Sequence, residues 1–160
     1  MRLAIGVLAL TLIADQASKW AVIDLMALDQ RLYIPVFDPY LNFAMAWNRG
    51  INFGLFGSDS DVMRYVLIAV ALVICAIVWV WVKRDGSGRA MQWGAGMLVG
   101  GALGNVIDRI RWGAVADFIN MSCCGIRNPY SFNVADIGIF AGAFLLIVFS
   151  GRSSEADTGK

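Results

Sequence analysis

The triplet Val-Ala-Asp occurs twice in this sequence, at Val115–Asp117 and at Val134–Asp136. Both copies stand where an apolar stretch stops or restarts. Two carboxyl groups held close together cannot both ionise cheaply, so one of them keeps a proton near neutral pH. Such a pair can hydrolyse a peptide bond. The ionised member takes a proton from water, and the protonated member supplies one to the carbonyl oxygen or the leaving amine, as in aspartic proteases. This chemistry needs no metal, no imidazole and no activated serine. The chain contains no His, which excludes Ser-His-Asp and Cys-His catalysis and the common His-based zinc sites. Spacing alone leaves a second reading open, because transporters also carry intramembrane carboxylates.

Other polar residues lie in apolar surroundings. Asp15 and Lys19 share a helix face at i,i+4 and read as a buried ion pair that fixes packing. Asp108 and Arg109 read as a second structural pair, with snorkelling to headgroups as an alternative for Arg109. Asn105, Asp108 and Arg109 share one face, and Asn133 and Asp136 are spaced i,i+3. Asp117 and Asp136 have no cationic neighbour in sequence, which favours a functional reading for them. A Ser18–Lys19 dyad is disfavoured, since adjacent helical residues point about 100° apart. Cys75 sits in an apolar run and reads as packing. Cys123 and Cys124 are adjacent and are not expected to bridge each other, and no CxxC spacing suggests a metal knuckle.

The elements that must position these groups are set by hydrophobicity. The 160 residues are 59% hydrophobic and 16% charged, against about 45–50% and 25% in soluble domains. The pattern predicts an all-α membrane protein: a four-transmembrane-helix bundle with a small periplasmic β-sheet and loop subdomain. Spans are expected at about 3–28, 62–82, 90–110 and 133–150, each near the roughly 20 apolar residues a bilayer requires. A cleaved signal peptide is the alternative for the N-terminus, but the apolar pattern resumes after Lys19. Residues 1–150 form one domain, and the polar segment 151–160 is expected to be a disordered cytoplasmic tail.

Arg2, Lys83, Arg84, Arg89, Arg152 and Lys160 fall on one side of the spans. Arg31, Arg49, Arg111 and Arg127 fall on the other. This bias places both termini in the cytoplasm. The inner halves of the spans are then nearly pure hydrocarbon, and the polar residues converge on the outer boundary. In the outer segment, about 29–58, Leu41, Phe43, Met45 and Trp47 alternate with Asn42, Ala44, Ala46 and Asn48, a strand with one apolar face. Arg31–Phe37 is a second β-prone stretch, with Pro35 indicating an edge. Gly96-x-x-x-Gly100 and Gly100-x-x-x-Gly104 are small-residue spacings that permit close helix contact. Net charge is +1, and no basic cluster points to nucleic acid.

With these residues in view, the chain resembles the bacterial lipoprotein signal peptidases, or type II signal peptidases. The resemblance rests on DQASK (Asp15–Lys19), WNRGINFG (Trp47–Gly54), GNVIDR (Gly104–Arg109), VADF (Val115–Phe118) and FNVAD (Phe132–Asp136), in that order along nearly the whole chain. It implies an aspartic endopeptidase of the inner membrane, with its site at the periplasmic face. The implied substrates are prolipoproteins whose lipobox Cys carries diacylglycerol, cut just before that Cys. No cofactor and no metal are implied; membrane lipid and cyclic peptide inhibitors of the globomycin type are. The implied catalytic residues are Asp117 and Asp136. Asp15, Lys19, Asn48, Gly50, Asn105, Asp108, Arg109 and Asn133 are implied as supporting or substrate-binding residues. Ile51 and Asn52 depart from the Ala-Ala frequent at those positions in the family. The competing readings are a small proton-coupled transporter or channel subunit, against which no inverted repeat and no inner polar path are found, and a structural scaffold, which leaves the clustered acids unexplained.

Overall fold

Apolar residues without proline carry the chain from its start into α1 (Arg2–Trp20). The helix widens into a π-helical turn over Ala21–Leu25 and stops at Ala27, whose φ of 52° is left-handed. The helical stretch therefore ends before residue 28. The computed structural model describes residues 1–50, 60–84, 88–125 and 128–150. A short helix α2 (Leu28–Arg31) leads to the strands β1 (Tyr33–Phe37) and β2 (Leu41–Asn48). Then come α3 (Ser60–Arg84), α4 (Arg89–Trp112), the strand β3 (Val115–Met121) and α5 (Val134–Ser150). The expected positions of Arg127, Ile51, Asn52, Arg152, Lys160 and the tail 151–160 lie outside the described residues.

Helix α4 is the centre of the helical layer, packing on α1, α3 and α5. Its glycines make this possible. A Cβ at Gly100 would meet Leu8 O of α1 at 2.6 Å, and one at Gly94 would meet Gly142 O of α5 at 2.9 Å. Cys75, Val78 and Val82 of α3 join Met91, Ala95, Leu98, Val99 and Ala102 of α4 and Leu146 of α5 in one core. The other faces of α1, α3 and α5 carry outward-facing Ile13, Val73, Ile77, Phe140 and Ile147, an exterior suited to lipid. Two helical stretches, Arg2–Leu25 and Asp61–Arg84, are long and apolar enough to cross a membrane, and α5 is a shorter apolar helix. In α4, 24 residues long, the glycines and the polar Asn105 and Asp108 are turned inward among the buried residues.

The strands form one antiparallel sheet in the order β1-β2-β3. Pro35 lies in edge strand β1, where it costs little ladder bonding. Arg31 belongs to α2, so the first β-prone stretch is two residues shorter than expected at its start. Phe43 and Met45 pack with Val22, Leu28 and Phe118 beneath the sheet. The expected alternation fails at the ends of β2. Asn42 is only 3% exposed while Trp47 is 40% exposed. Asn42 is satisfied there: its Nδ2 donates to Asp38 Oδ1 at 3.1 Å and its Oδ1 accepts from Val36 N at 3.3 Å. Trp47 leans edge-on against Trp112 instead.

One element had no sequence expectation, and one further expectation is corrected. Gly113, at φ 77°, releases the chain from α4 into β3, which pairs Ala46↔Asp117 and Asn48↔Val115 with β2. Cys123 and Cys124 do bridge each other, as a vicinal disulfide. The left-handed backbone of Cys124 and Gly125 (φ 60° and 81°) folds this turn tightly enough to bring adjacent sulfurs together.

Candidate active site

Asp136 is placed by the way α5 begins. Asn133 Oδ1 accepts from Asp136 N at 2.9 Å, and Asp136 Oδ2 accepts in return from Asn133 N at 3.2 Å. This is the reciprocal geometry of a capping box, built from Asn and Asp. It holds the carboxylate in the first turn of a helix, where the dipole favours negative charge. Its other oxygen accepts from Asn105 Nδ2 at 3.0 Å. Asp136 is half-buried and borders an apolar cleft of about 460 Å³ with Phe132, Ile137, Phe140 and Ala141.

Asp117 is placed by β3. It is 4% exposed, and its oxygens accept from Asn133 Nδ2 at 2.6 Å and Asn48 Nδ2 at 3.1 Å. Asn133 thus ties one aspartate through its side chain and the other through its backbone. Burial, and secondly the charge of Asp136, push the Asp117 carboxyl up to about 6, against the lowering influence of its two asparagine donors. Gly50 acts one step further out. Its N–H donates to Asn48 Oδ1 at 3.0 Å, so Asn48 turns its Nδ2 towards Asp117. The backbone at Gly50 has φ 89°, and a Cβ there would meet Leu67 Cδ1 at 2.6 Å; both facts call for glycine.

Behind this pair lies a second, fully buried one. Lys19 Nζ contacts Asp15 Oδ2 at 2.8 Å and Asp108 Oδ2 at 2.6 Å. Its third proton points to Asn105 Oδ1 at 3.5 Å. The Asp108–Arg109 pair expected from sequence is replaced by this arrangement. Neighbouring helical residues diverge, so Asp108 turns to α1 while Arg109 donates to Asn105 O at 3.2 Å. Arg109 remains near enough to feel the charges of Asp108, Asp117 and Asp136. Gln16, which the sequence reading did not single out, donates to Asp15 Oδ2 at 3.0 Å and Asp108 Oδ1 at 3.1 Å. Its place inside the DQASK motif was the available signal.

The residues drawn together are therefore Asp15, Lys19, Asn48, Asn105, Asp108, Asn133, Asp117 and Asp136, with Gly50 and Arg109 at the margin. Among the described residues no three His, Cys, Asp or Glu side chains converge as a metal site requires. A separate cleft of about 780 Å³ lies on the sheet, lined in part by Tyr33, Asn42, Ala46, Asn120 and Ser131. It contains neither Asp117 nor Asp136; the smaller opening is the one that Asp136 borders.

A family model described as signal peptidase (SPase) II matches residues 7–151. The chain belongs to the signal peptidase II family. It is 42% identical over 153 residues to the lipoprotein signal peptidase of Methylorubrum extorquens (strain PA1), covering 92% of this chain and 85% of that one. It is 39% identical over 146 residues to that of Methylobacterium sp. (strain 4-46), covering 91% and 87%. A solved bacterial membrane enzyme, determined by the in meso method, superposes with a TM-score of 0.76 at 25% identity over 98% of this chain and 92% of its own. As a signal peptidase II the protein is a membrane peptidase that removes signal peptides from prolipoproteins. The transporter reading finds no support.

Proposed function

We propose that this signal peptidase II is an aspartic endopeptidase with Asp117 and Asp136 as its catalytic pair. The observation that carries the proposal is the sharing of Asn133 between them: 2.6 Å to Asp117 through its side chain, 3.2 Å to Asp136 through its backbone. In the proposed reaction Asp136 is the base and Asp117 the acid. Water loses a proton to Asp136 as its oxygen attacks the scissile carbonyl carbon. The carbonyl oxygen takes the Asp117 proton, giving a neutral gem-diol. The amine then takes the proton held by Asp136, the C–N bond breaks, and a diol proton returns to Asp117. Water is the only co-reactant, and the pair ends as it began.

The scissile bond is proposed to precede a diacylglyceryl-modified Cys. The apolar cleft bounded by Phe132, Ile137, Phe140 and Ala141 supports this, since acyl chains and a signal-peptide helix would stay in hydrocarbon while the bond reaches Asp136. Four spans are proposed, α1, α3, α4 and α5, with the termini in the cytoplasm of the inner membrane and the aspartates at the periplasmic face. The excess of Lys and Arg at Arg2, Lys83, Arg84 and Arg89 supports that orientation. Globomycin-type cyclic peptides are proposed to bind at the same opening. The test is cleavage of a diacylglyceryl-modified prolipoprotein by purified enzyme in detergent. Asp117→Asn and Asp136→Asn should each abolish most turnover while remaining folded. Near-normal activity in either would refute the assignment.

A further inference from the structure

The buried pair behind the site has a consistent relation to the front one. Asp108 Oδ2 accepts the backbone N–H of Ala116 at 3.2 Å, and Asp15 Oδ1 accepts that of Ala135 at 2.9 Å. Ala116 and Ala135 are the residues immediately before Asp117 and Asp136. So each rear carboxylate grips the peptide that carries one front carboxylate. The two grips are joined by the Lys19 ammonium, which lies between Asp15 and Asp108. Asp15, Lys19 and Asp108 are all fully buried, so these bonds are not loosened by water, and low dielectric strengthens them.

From this juxtaposition we propose that Lys19 is a positioning residue: through Asp15 and Asp108 it sets the separation of β3 and the start of α5, and with it the spacing of Asp117 and Asp136. The inference rests on the reading of those two aspartates as the catalytic pair. β3 and α5 are joined by a long connection, and backbone hydrogen bonds of Phe132 with Phe118 and Ile119 tie the end of that connection to β3. The path from Ala116 N through Asp108, Lys19 and Asp15 to Ala135 N adds a second tie in short, charged links, next to the two aspartates themselves. None of the three side chains hydrogen-bonds Asp117 or Asp136. Asn105 adds a lateral tie, accepting from Lys19 and donating to Asp136. A packing role alone would need only charge balance, not two carboxylates aimed at the amides beside the two catalytic positions.

Two variants test this in full-length enzyme in detergent, with a diacylglyceryl-modified prolipoprotein as substrate. Lys19→Met breaks the joint and leaves two buried carboxylates facing each other. In the folded fraction, kcat should fall at least about ten-fold, since small misplacements of catalytic groups are expensive, with KM within about three-fold. The alkaline limb of the pH profile should move upward, because the Lys19 charge is one of the influences lowering Asp117. The charge-neutral triple variant Asp15→Asn/Lys19→Met/Asp108→Asn keeps both acceptors for Ala116 and Ala135 and removes the repulsion, but it still lacks the joint. It should fold and keep most of the kcat loss, and it decides the matter if Lys19→Met does not fold. Wild-type kcat and pH profile in folded Lys19→Met overturn the inference, as does a folded triple variant with near wild-type kcat, which would show that charge balance alone suffices. Full activity of Asp117→Asn, run alongside, would instead bring down the catalytic reading itself.

Discussion

Four aspartates lie towards one end of this helix bundle in two pairs, and the pairs differ in every partner. Asp15 and Asp108 share an ammonium, are completely buried and bind backbone N–H groups. Asp117 and Asp136 share only the residue Asn133, one through its side-chain amide and the other through its backbone N–H, and Asp136 is open to a cleft. A buried carboxylate with a cation beside it is held in place by that charge. A buried carboxylate that feels another carboxylate holds its proton to higher pH. The same side chain is a fastener in one place and, in the reaction proposed above, a proton carrier in the other, and the difference lies in the neighbours.

That contrast predicts opposite costs. Asp117→Asn and Asp136→Asn should lower kcat by about 10³-fold or more with little loss of thermal stability. Asp108→Ala should instead lower the melting temperature sharply, since uncoupling one partner of a buried ion pair costs about 3–5 kcal/mol. Differential scanning fluorimetry beside the cleavage assay separates the two. A large loss of stability in Asp117→Asn would erase the distinction.

The pH dependence sharpens it further. Asp117 holds its proton to about 6 in the folded enzyme, above its unfolded value. The folded state therefore binds the extra proton. Stability attributable to this group is fullest below the unfolded value of roughly 4 and declines as pH rises through about 6. Asp117→Asn should flatten that decline. For catalysis, kcat/KM should fall on the alkaline side as the same proton is lost. A profile identical in wild type and Asn48→Ala would count against Asp117 as its source. The Asn48 bond lowers the Asp117 value, so its removal should move the limb upward.

Smaller effects follow from the scaffold. In Gly104→Ala the new methyl collides with the Asp15 carboxylate, and overpacking of this kind costs about 1–3 kcal/mol. Turnover should drop with it if Asp15 positions the site. Asn133→Ala removes the cap of α5, worth about 1 kcal/mol, and also the 2.6 Å bond to Asp117. Its stability loss should be modest and its kcat loss larger. A variant that is destabilised but fully active would show that Asn133 serves the helix alone.

Much of this was legible before any coordinates. The apolar runs foretold α1, α3 and α5, because a lipid-facing helix must be apolar along its length. The two Val-Ala-Asp triplets marked the front pair. β3 was not legible: Val115–Asn120 is nearly all buried, so it lacks the period-two alternation that reveals a half-exposed strand. The partner of Asp108 was misread for a related reason. Arg109 is its neighbour in sequence, but consecutive helical side chains point apart, and the cation that reaches it comes from 89 positions earlier in the chain, on α1.

The sequence by itself determined the chemistry available: carboxylates without imidazole, set in a chain too apolar for water, with glycines where helices must touch. Only the tertiary structure decided which carboxylates meet a cation and which share an asparagine. Composition names the groups, but protonation depends on distance and burial. Those arise when α1 lays Lys19 between Asp15 and Asp108, and β3 and α5 bring Asp117 and Asp136 to the same asparagine.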